Sequence, residues 1–358
     1  MTSVGIGSCT ALIIAAFGIR TSLLSTMDIQ YDEIFHYTAQ VSTSENLLAS
    51  ERKDIETYIQ ESPDITDHVP CRMNAVTAEE NGYSTTCYLM TIPADRIDTF
   101  VTLRTYGDKE PIALNDEGIV IGQKLSELLN VGPGDSIVID GDTRATVPVA
   151  AVNEHYLGHF AYMTPGCYEK VFGKSCQDNS YLLKLSDDSA DLCNAVFTDM
   201  MDLHGVLAAS RTLSTRDTYM KSMEQVDFVI VIVILSAAAL ALVVLYNLSN
   251  INITERRREL ATIRVLGFYD REMSDYVNRE NGVLTILGIL FGIVAGHFLH
   301  VWLVKSVEID LMMFGRTTDP WAYVWSALLT SVFSALVALL AHRKMKRIDM
   351  VESLKSAE

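Results

Sequence analysis

The 358-residue sequence lacks the patterns that mark most enzymes. It has no GxSxG nucleophile turn and no HExxH metal-binding helix. Gly173-Lys174-Ser175 has the ending of a phosphate-binding loop, but Tyr168 stands where the first glycine belongs. No CxxC pair occurs among the six cysteines, which argues against a thiolate metal cluster. Positive charge is also scarce: 28 Lys+Arg face 45 Asp+Glu, a net charge of −17. Binding to a phosphate backbone needs clustered cations, so nucleic acid is excluded as a partner. These absences call for no cofactor, no metal and no catalytic residue.

Long apolar runs are what the chain has instead. Phe228–Tyr246 is 19 residues without a charge, about the ~20 needed to cross a bilayer core. Three further segments have spanning character: Val4–Ile19, Gly282–Val304 and Trp321–Ala341. The first is ended by Arg20, which can snorkel to the interface. It has no basic leader and no small-residue cleavage site, so it reads as a span and not as a signal peptide.

The loops orient these spans. Asn247–Asn281 holds six arginines, and Arg343, Lys344, Lys346, Arg347 and Lys355 follow the last span. The loop between the third and fourth spans holds only Lys305 and Arg316. Basic loops stay inside, so Asn247–Asn281 and the C-terminus are predicted cytoplasmic and residues 26–222 extracytoplasmic. That external segment contains 31 Asp+Glu and 14 Lys+Arg, so it carries all of the net charge. The expected domains are the first span (1–25), the external domain (26–222) and a three-span region (223–358).

Five cysteines (71, 87, 167, 176, 193) fall in the external segment, where disulfides persist. Their spacing suggests the pairs Cys71–Cys87 and Cys167–Cys176. The fold class expected is an α-helical membrane protein of four transmembrane helices, with a large α+β domain inserted between the first and second. Within that domain, Ile34–Ser42 alternates like a strand and Asn46–Gln60 like a helix. Cys71–Thr77 and Thr85–Ile92 read as a ribbon. Ser180–Leu185, Ala190–Leu203 and Gly205–Ser210 read as β-α-β, the second half of a split unit. Between the halves, a helix at Gln123–Leu129 and strands at Ser136–Ile139, Ala145–Val152 and Ala161–Met163 read as a small β-barrel-like lobe. From Thr215 the pattern is helical without Gly or Pro into the second span, a continuous stalk.

Few polar residues invite a chemical role. His155 and His159 beside Glu154 have i,i+4 spacing, but their surroundings read as strand and turn. Asp187, Asp188 and Asp191 open a helix, where acidic groups favour the dipole. His297 lies in the third span, where an ionisable residue is a functional candidate; His300 with Trp302 reads as an interface anchor. Gly288, Gly292 and Gly296 repeat at four residues in that span, a stripe that lets another helix approach closely.

The segment NITERRRELATIRVLGFYDREM resembles the signature loop of the FtsX/MacB-type permeases of ABC transporters, E-R-x-x-E-[IL]-[AG]-x-[LI]-[KR]-x-[LI]-G between the second and third spans. Glu255, Arg256, Glu259, Leu260, Ala261, Ile263, Arg264, Leu266 and Gly267 match it. The ending IDMVESLKSAE is similar to the family's terminal motif, and the order of spans and external domain also matches. Family members begin with a basic amphipathic helix, whereas this chain opens almost inside its first span. The nearer likeness is to the C-terminal module of long two-module bacterial permeases, so the chain is expected to be that module alone or an incomplete reading frame.

The resemblance implies a bacterial plasma-membrane protein without an ATPase of its own. Its partners would be a separate ABC ATPase subunit, a second permease module or homodimer, and membrane lipid. It would convert ATP cycling into mechanical work outside the membrane, exporting peptides, antibiotics or lipid-linked substrates or activating an external partner. Asn252–Gly267 would be the coupling helix, capped by Asn252 with Glu255 three residues on, stopped by Gly267, and followed by a cap at Asp270. Two rivals stand beside this reading. One is a membrane-anchored sensor or receptor, which needs no arginine-rich helix between spans. The other is a membrane-embedded hydrolase using His155/His159 or His297.

Overall fold

The computed structural model describes residues 2–255, 269–316 and 318–345. In chain order it contains α1 (Thr2–Asp28), a π-helical turn (Ile29–Ile34), β1 (Ala39–Thr43), α2 (Ala49–Glu61), β2 (Ile65–Glu80), β3 (Tyr83–Thr91), α3 (Ala94–Phe100), β4 (Ile119–Gly122), α4 (Gln123–Leu129), β5 (Ser136–Asp140), β6 (Ala145–Asn153), β7 (Phe160–Met163), α5 (Pro165–Phe172), β8 (Ser180–Leu185), α6 (Ala190–Met201), β9 (Val206–Arg211), α7 (Thr212–Glu255), α8 (Asp270–Val307) and α9 (Pro320–Met345). These form two compact units. One holds α1 up to Leu23, Glu224–Val307 and the chain from Arg316; the other holds Leu24–Met223 together with Glu308–Gly315.

In the helical unit the usual polarity is inverted. Leu290, Phe291, Val294 and Phe298 of α8 and Val324, Trp325 and Leu328 of α9 are exposed, while Thr10, Ser326 and Thr330 are fully buried. A water-soluble bundle would do the reverse; an apolar exterior is what a lipid solvent requires. Among the described residues three helices are long and apolar enough to cross a membrane: Ser3–Ile34, Gly282–Val307 and Pro320–Leu339. The second predicted span lies inside α7, whose described apolar stretch is Val231–Val244. No Gly or Pro occurs from Thr212 to Glu255, so nothing stops that helix and stalk and span are one rod. Asn252 falls within α7, and most of the expected helix Asn252–Gly267 lies outside the described residues. Asp319 does cap α9, accepting from the Trp321 N–H at 3.0 Å with Pro320 at the first position.

The other unit is α+β. β1-α2-β2 and β8-α6-β9 build a four-stranded antiparallel sheet in the order β2-β8-β1-β9. This is the split β-α-β pattern, its two halves separated by a long insertion. Ile55 and Ile59 of α2 and Cys193, Val196 and Met200 of α6 pack on one sheet face with Val41, Tyr181 and Leu183. The insertion pairs as β3-β7-β4-β6-β5-β2, and β2 pairs again with β3, so six strands close into a barrel. Ile119, Ile121, Leu125, Leu129, Ile137, Ile139 and Val147 fill it. The barrel therefore includes the predicted ribbon, which the sequence reading had set apart.

One expectation is trimmed here and another overturned. The alternation of Ile34–Ser42 predicts a strand, but α1 runs on through the π-turn and β1 starts only at Ala39. Tyr31 and Ile34 are core residues of that helical turn. The proposed disulfides are also absent: all six cysteines, including Cys71, Cys87, Cys167 and Cys176, are free. In the β2–β3 ladder Cys87 lies opposite Val76, five positions along the strand from Cys71. Five is odd, so the two side chains leave opposite faces; Cys71 enters the cluster around Phe100 and Cys87 enters the barrel. Cys167 is buried with its thiol donating to the Gly118 carbonyl at 3.6 Å, while Cys176 lies in the loop beyond α5.

Peptide mapping without reduction should therefore find Cys71 and Cys87 as thiols, alkylated only after denaturation because both are fully buried. A Cys71–Cys87 cross-linked peptide would contradict this strand register.

Candidate functional site

In the α+β unit one set of charged groups joins the end of α1 to the start of α7. Asp28 and Asp32 are four residues apart and share one helical face. Arg216 of α7 straddles them, with Nη2 2.8 Å from Asp28 and Nη1 3.0 Å from Asp32. The carboxylates are more than half exposed, so this clasp contributes about 1 kcal/mol at most. It orients the two stalk helices more than it stabilises them.

The π-turn presents a second set of groups to the barrel side. Gln30 is fully buried, and its Oε1 accepts from the Tyr156 N–H at 2.9 Å. Glu33 accepts from Arg104 at 2.6 Å and from Lys109 at 3.1 Å. The Arg104 hydrogen bond holds the Glu33 carboxyl below the usual carboxylate range, against a smaller opposing effect of burial. Arg104 also donates through Nε to Glu154, which is 3% exposed. The Tyr156 hydroxyl donates to the other Glu154 oxygen at 2.5 Å. A buried carboxylate with both oxygens satisfied this way is rigid, because freeing either partner would leave a charge in a low-dielectric site. Sequence reading named Glu154 only as a neighbour of the histidines and missed Asp28, Asp32, Glu33, Arg104, Tyr156 and Arg216. The available signal was the Asp28/Asp32 spacing just beyond an apolar run.

The two histidines have structural surroundings. His155 packs among Phe35, Phe160 and Tyr162, with ring centroids 5.6, 4.8 and 6.4 Å away. Its Nε2 lies 2.8 Å from the Leu157 carbonyl, which can only accept, so Nε2 carries the proton. Burial pushes its pKa down to about 4. His159 is 2% exposed and burial lowers its pKa as well. Among the described residues no group of three His, Cys, Asp or Glu could hold a metal ion.

In the helical unit the glycine stripe lies against α1. A Cβ on Gly288 would fall 2.7 Å from Ile6 Cβ, one on Gly292 2.5 Å from Thr10 Cβ, and one on Gly296 3.0 Å from the Ala11 Cα. Gly7 answers from the α1 side, where a Cβ would meet Phe291 at 2.5 Å. Hydroxyl pairs flank the seam: Thr10 with Thr330 at 3.1 Å and Thr285 with Ser334 at 2.8 Å. His300 is fully buried, not the interface anchor expected of it. Its Nε2 and Nδ1 each lie 2.9 Å from a hydroxyl, of Ser22 and of Thr318, and Gly18 leaves room for its ring. His297 is exposed, with Nδ1 2.9 Å from the Tyr323 hydroxyl.

Of the predicted coupling residues, Arg256, Glu259, Leu260, Ile263, Arg264 and Gly267 lie outside the described residues, and Glu255 is the last described residue of α7. Asp270 begins α8.

Residues 231–350 match the family model described as FtsX-like permease C-terminal. No curated protein matches the chain. Among solved structures, the chain is similar to the periplasmic region of MacB from Actinobacillus actinomycetemcomitans, at 13% identity and a TM-score of 0.32, over 52% of this chain and 93% of that one. It is also similar to the extracellular domain of the noncanonic ABC-type transporter YknZ from Gram-positive bacteria, at 19% identity and a TM-score of 0.30, over 49% of this chain and 98% of that one.

Two outcomes are expected. Leucine at Gly292 should push α1 and α8 apart, lowering thermal stability in detergent by about 1–3 kcal/mol through overpacking; an unchanged unfolding midpoint would exclude the seam. Stability of the external domain should fall as pH drops from about 6.5 towards 4, because the unfolded chain binds a proton at His155 that the folded chain refuses. Each such histidine gives a slope of up to about 1.4 kcal/mol per pH unit. His155→Phe should flatten the profile in that window, measured by thermal unfolding across pH.

Proposed function

We propose that this chain is a permease subunit of an ABC transporter, working with a separate ATPase subunit and a second permease module to move its external domain. The match of residues 231–350 to the FtsX-like permease model carries the reading. Three apolar helices and an α+β unit of about 200 residues support it. So does the shape of the connection: α7 is one uninterrupted helix of 44 residues, and a helix is a stiff element that passes displacement along its axis. The polar groups around the π-turn, Gln30 and Glu33, bind structural partners. What the arrangement does is hold geometry under load.

In this reading four helices span the plasma membrane, α7 supplying the second. The first span precedes an external domain at 26–222, and the loop 247–281 and the tail face the cytoplasm. Asn252–Gly267 docks into the ATPase, with Glu255, Arg256, Glu259 and Arg264 offering charges to the partner. Lipid surrounds the exposed apolar faces of α8 and α9.

Reversing both charges, Glu259→Arg with Arg264→Glu, tests the assignment. Membrane insertion should be normal, while ATP-driven activity falls by about tenfold or more, because reversed charges meet like charges across the interface. ATPase association and coupled activity at wild-type levels would refute it.

A further inference from the structure

Between α8 and α9 the sequence reads as an ordinary external loop. The structure gives Glu308–Gly315 to the α+β unit instead. The segment is fastened along its length. Met312 forms antiparallel bridges with Ile309 and with Leu157. The Gly158 N–H donates to the Leu311 carbonyl at 2.9 Å, and the Met313 N–H donates to the Tyr156 carbonyl at 2.9 Å. The Gly315 N–H donates to the Thr26 hydroxyl at 3.0 Å.

Side chains complete the docking. Met313 is fully buried in the cluster containing Met27, Tyr31, Phe100 and Tyr162. Lys124 of α4 pairs with Glu308 at 2.9 Å, their side chains 13% and 2% exposed. The Tyr83 hydroxyl donates to Asp310 at 2.9 Å. A mobile loop would leave a glutamate in water; a carboxylate this deep persists only where a fixed cation meets it.

Tyr156 sits at the crossing. Its N–H is held by Gln30 of the π-turn and its carbonyl by Met313 of the strap. The chain that continues α1 and the chain that joins α8 to α9 therefore grip the N–H and the C=O of one residue in the connection between β6 and β7. We propose that Glu308–Gly315 is a tie, fastening the α8–α9 helix pair to the barrel at Lys124 and Tyr156, so that the external domain follows that pair as well as the α1/α7 stalk. The movement it transmits rests on the permease reading above; its docking does not.

Hydrogen exchange on the full-length chain in lipid nanodiscs tests the docking. The Met312, Met313 and Gly315 amides should exchange at least about tenfold slower than those of the exposed turn 107–110; equal rates would overturn the tie. Glu308→Gln should release protection across 308–315 and 156–158 and leave the β2–β3 ribbon unchanged. No change, or a loss spread evenly over the domain, overturns the fastening role. A Leu157→Cys/Met312→Cys variant should cross-link spontaneously on oxidation, and failure to do so contradicts the bridge. The mechanical half needs the complex with the ATPase subunit. A short Gly-Ser insertion after Val307 and another after Gly315 should leave the strap protected but abolish the nucleotide-dependent exchange change in the barrel. A barrel response equal to wild type overturns that half. If no ATPase associates with the unmodified chain, the permease reading fails while the docking measurements still decide the strap.

Discussion

The α+β unit depends on one strand. β2 is 16 residues long and serves two structures: its first half pairs with β8 in the four-stranded sheet, and its second half pairs with β3 and β5 in the barrel. A strand held by ladders in this way cannot hinge without breaking backbone hydrogen bonds, each worth about 1 kcal/mol net and more when left unsatisfied in the core. The sheet and the barrel are thus joined through continuous backbone and not by a flexible linker.

The helical unit solves a different problem. With lipid outside, apolar burial gives little reason for helices to associate, so shape and hydrogen bonds must do it. The glycine face of α8 provides shape, letting the α1 backbone come close at Gly7 and Thr10. Thr10–Thr330, Thr285–Ser334 and the two hydroxyls on His300 provide the bonds. Each is modest, about 0.6 kcal/mol on average in such settings, but together they select one register among many of similar apolar contact.

Charge at the root of the external domain is graded by burial. Arg216 with Asp28 and Asp32 is exposed and weak, suited to steering two helices that must stay aligned. Arg104 with Glu154 and Lys124 with Glu308 are deep, costly to break and directional.

Local pattern was enough for much of this protein. Apolar runs located the spanning helices, the absence of Gly and Pro made α7 one rod, and Asn81-Gly82, with both residues at positive φ, turns the β2–β3 hairpin. Gln123–Leu129 and Ser180–Leu185 are elements with the predicted bounds, because periodicity and punctuation act within a few residues. The strand expected from Ile34 begins only at Ala39, because Ile34 satisfies either period until a core is present to receive it. The cysteine pairing failed on a parity that only the register sets. Glu308 and Met313 look like loop residues in sequence; their burial is decided by Lys124 and Tyr156, more than 150 positions away. The sequence by itself determined most of the helices and strands and the apolar helices, since those follow from short-range sterics and hydropathy. The tertiary structure alone decided which charges meet and that the strap docks, since these are contacts between distant residues that no local pattern encodes.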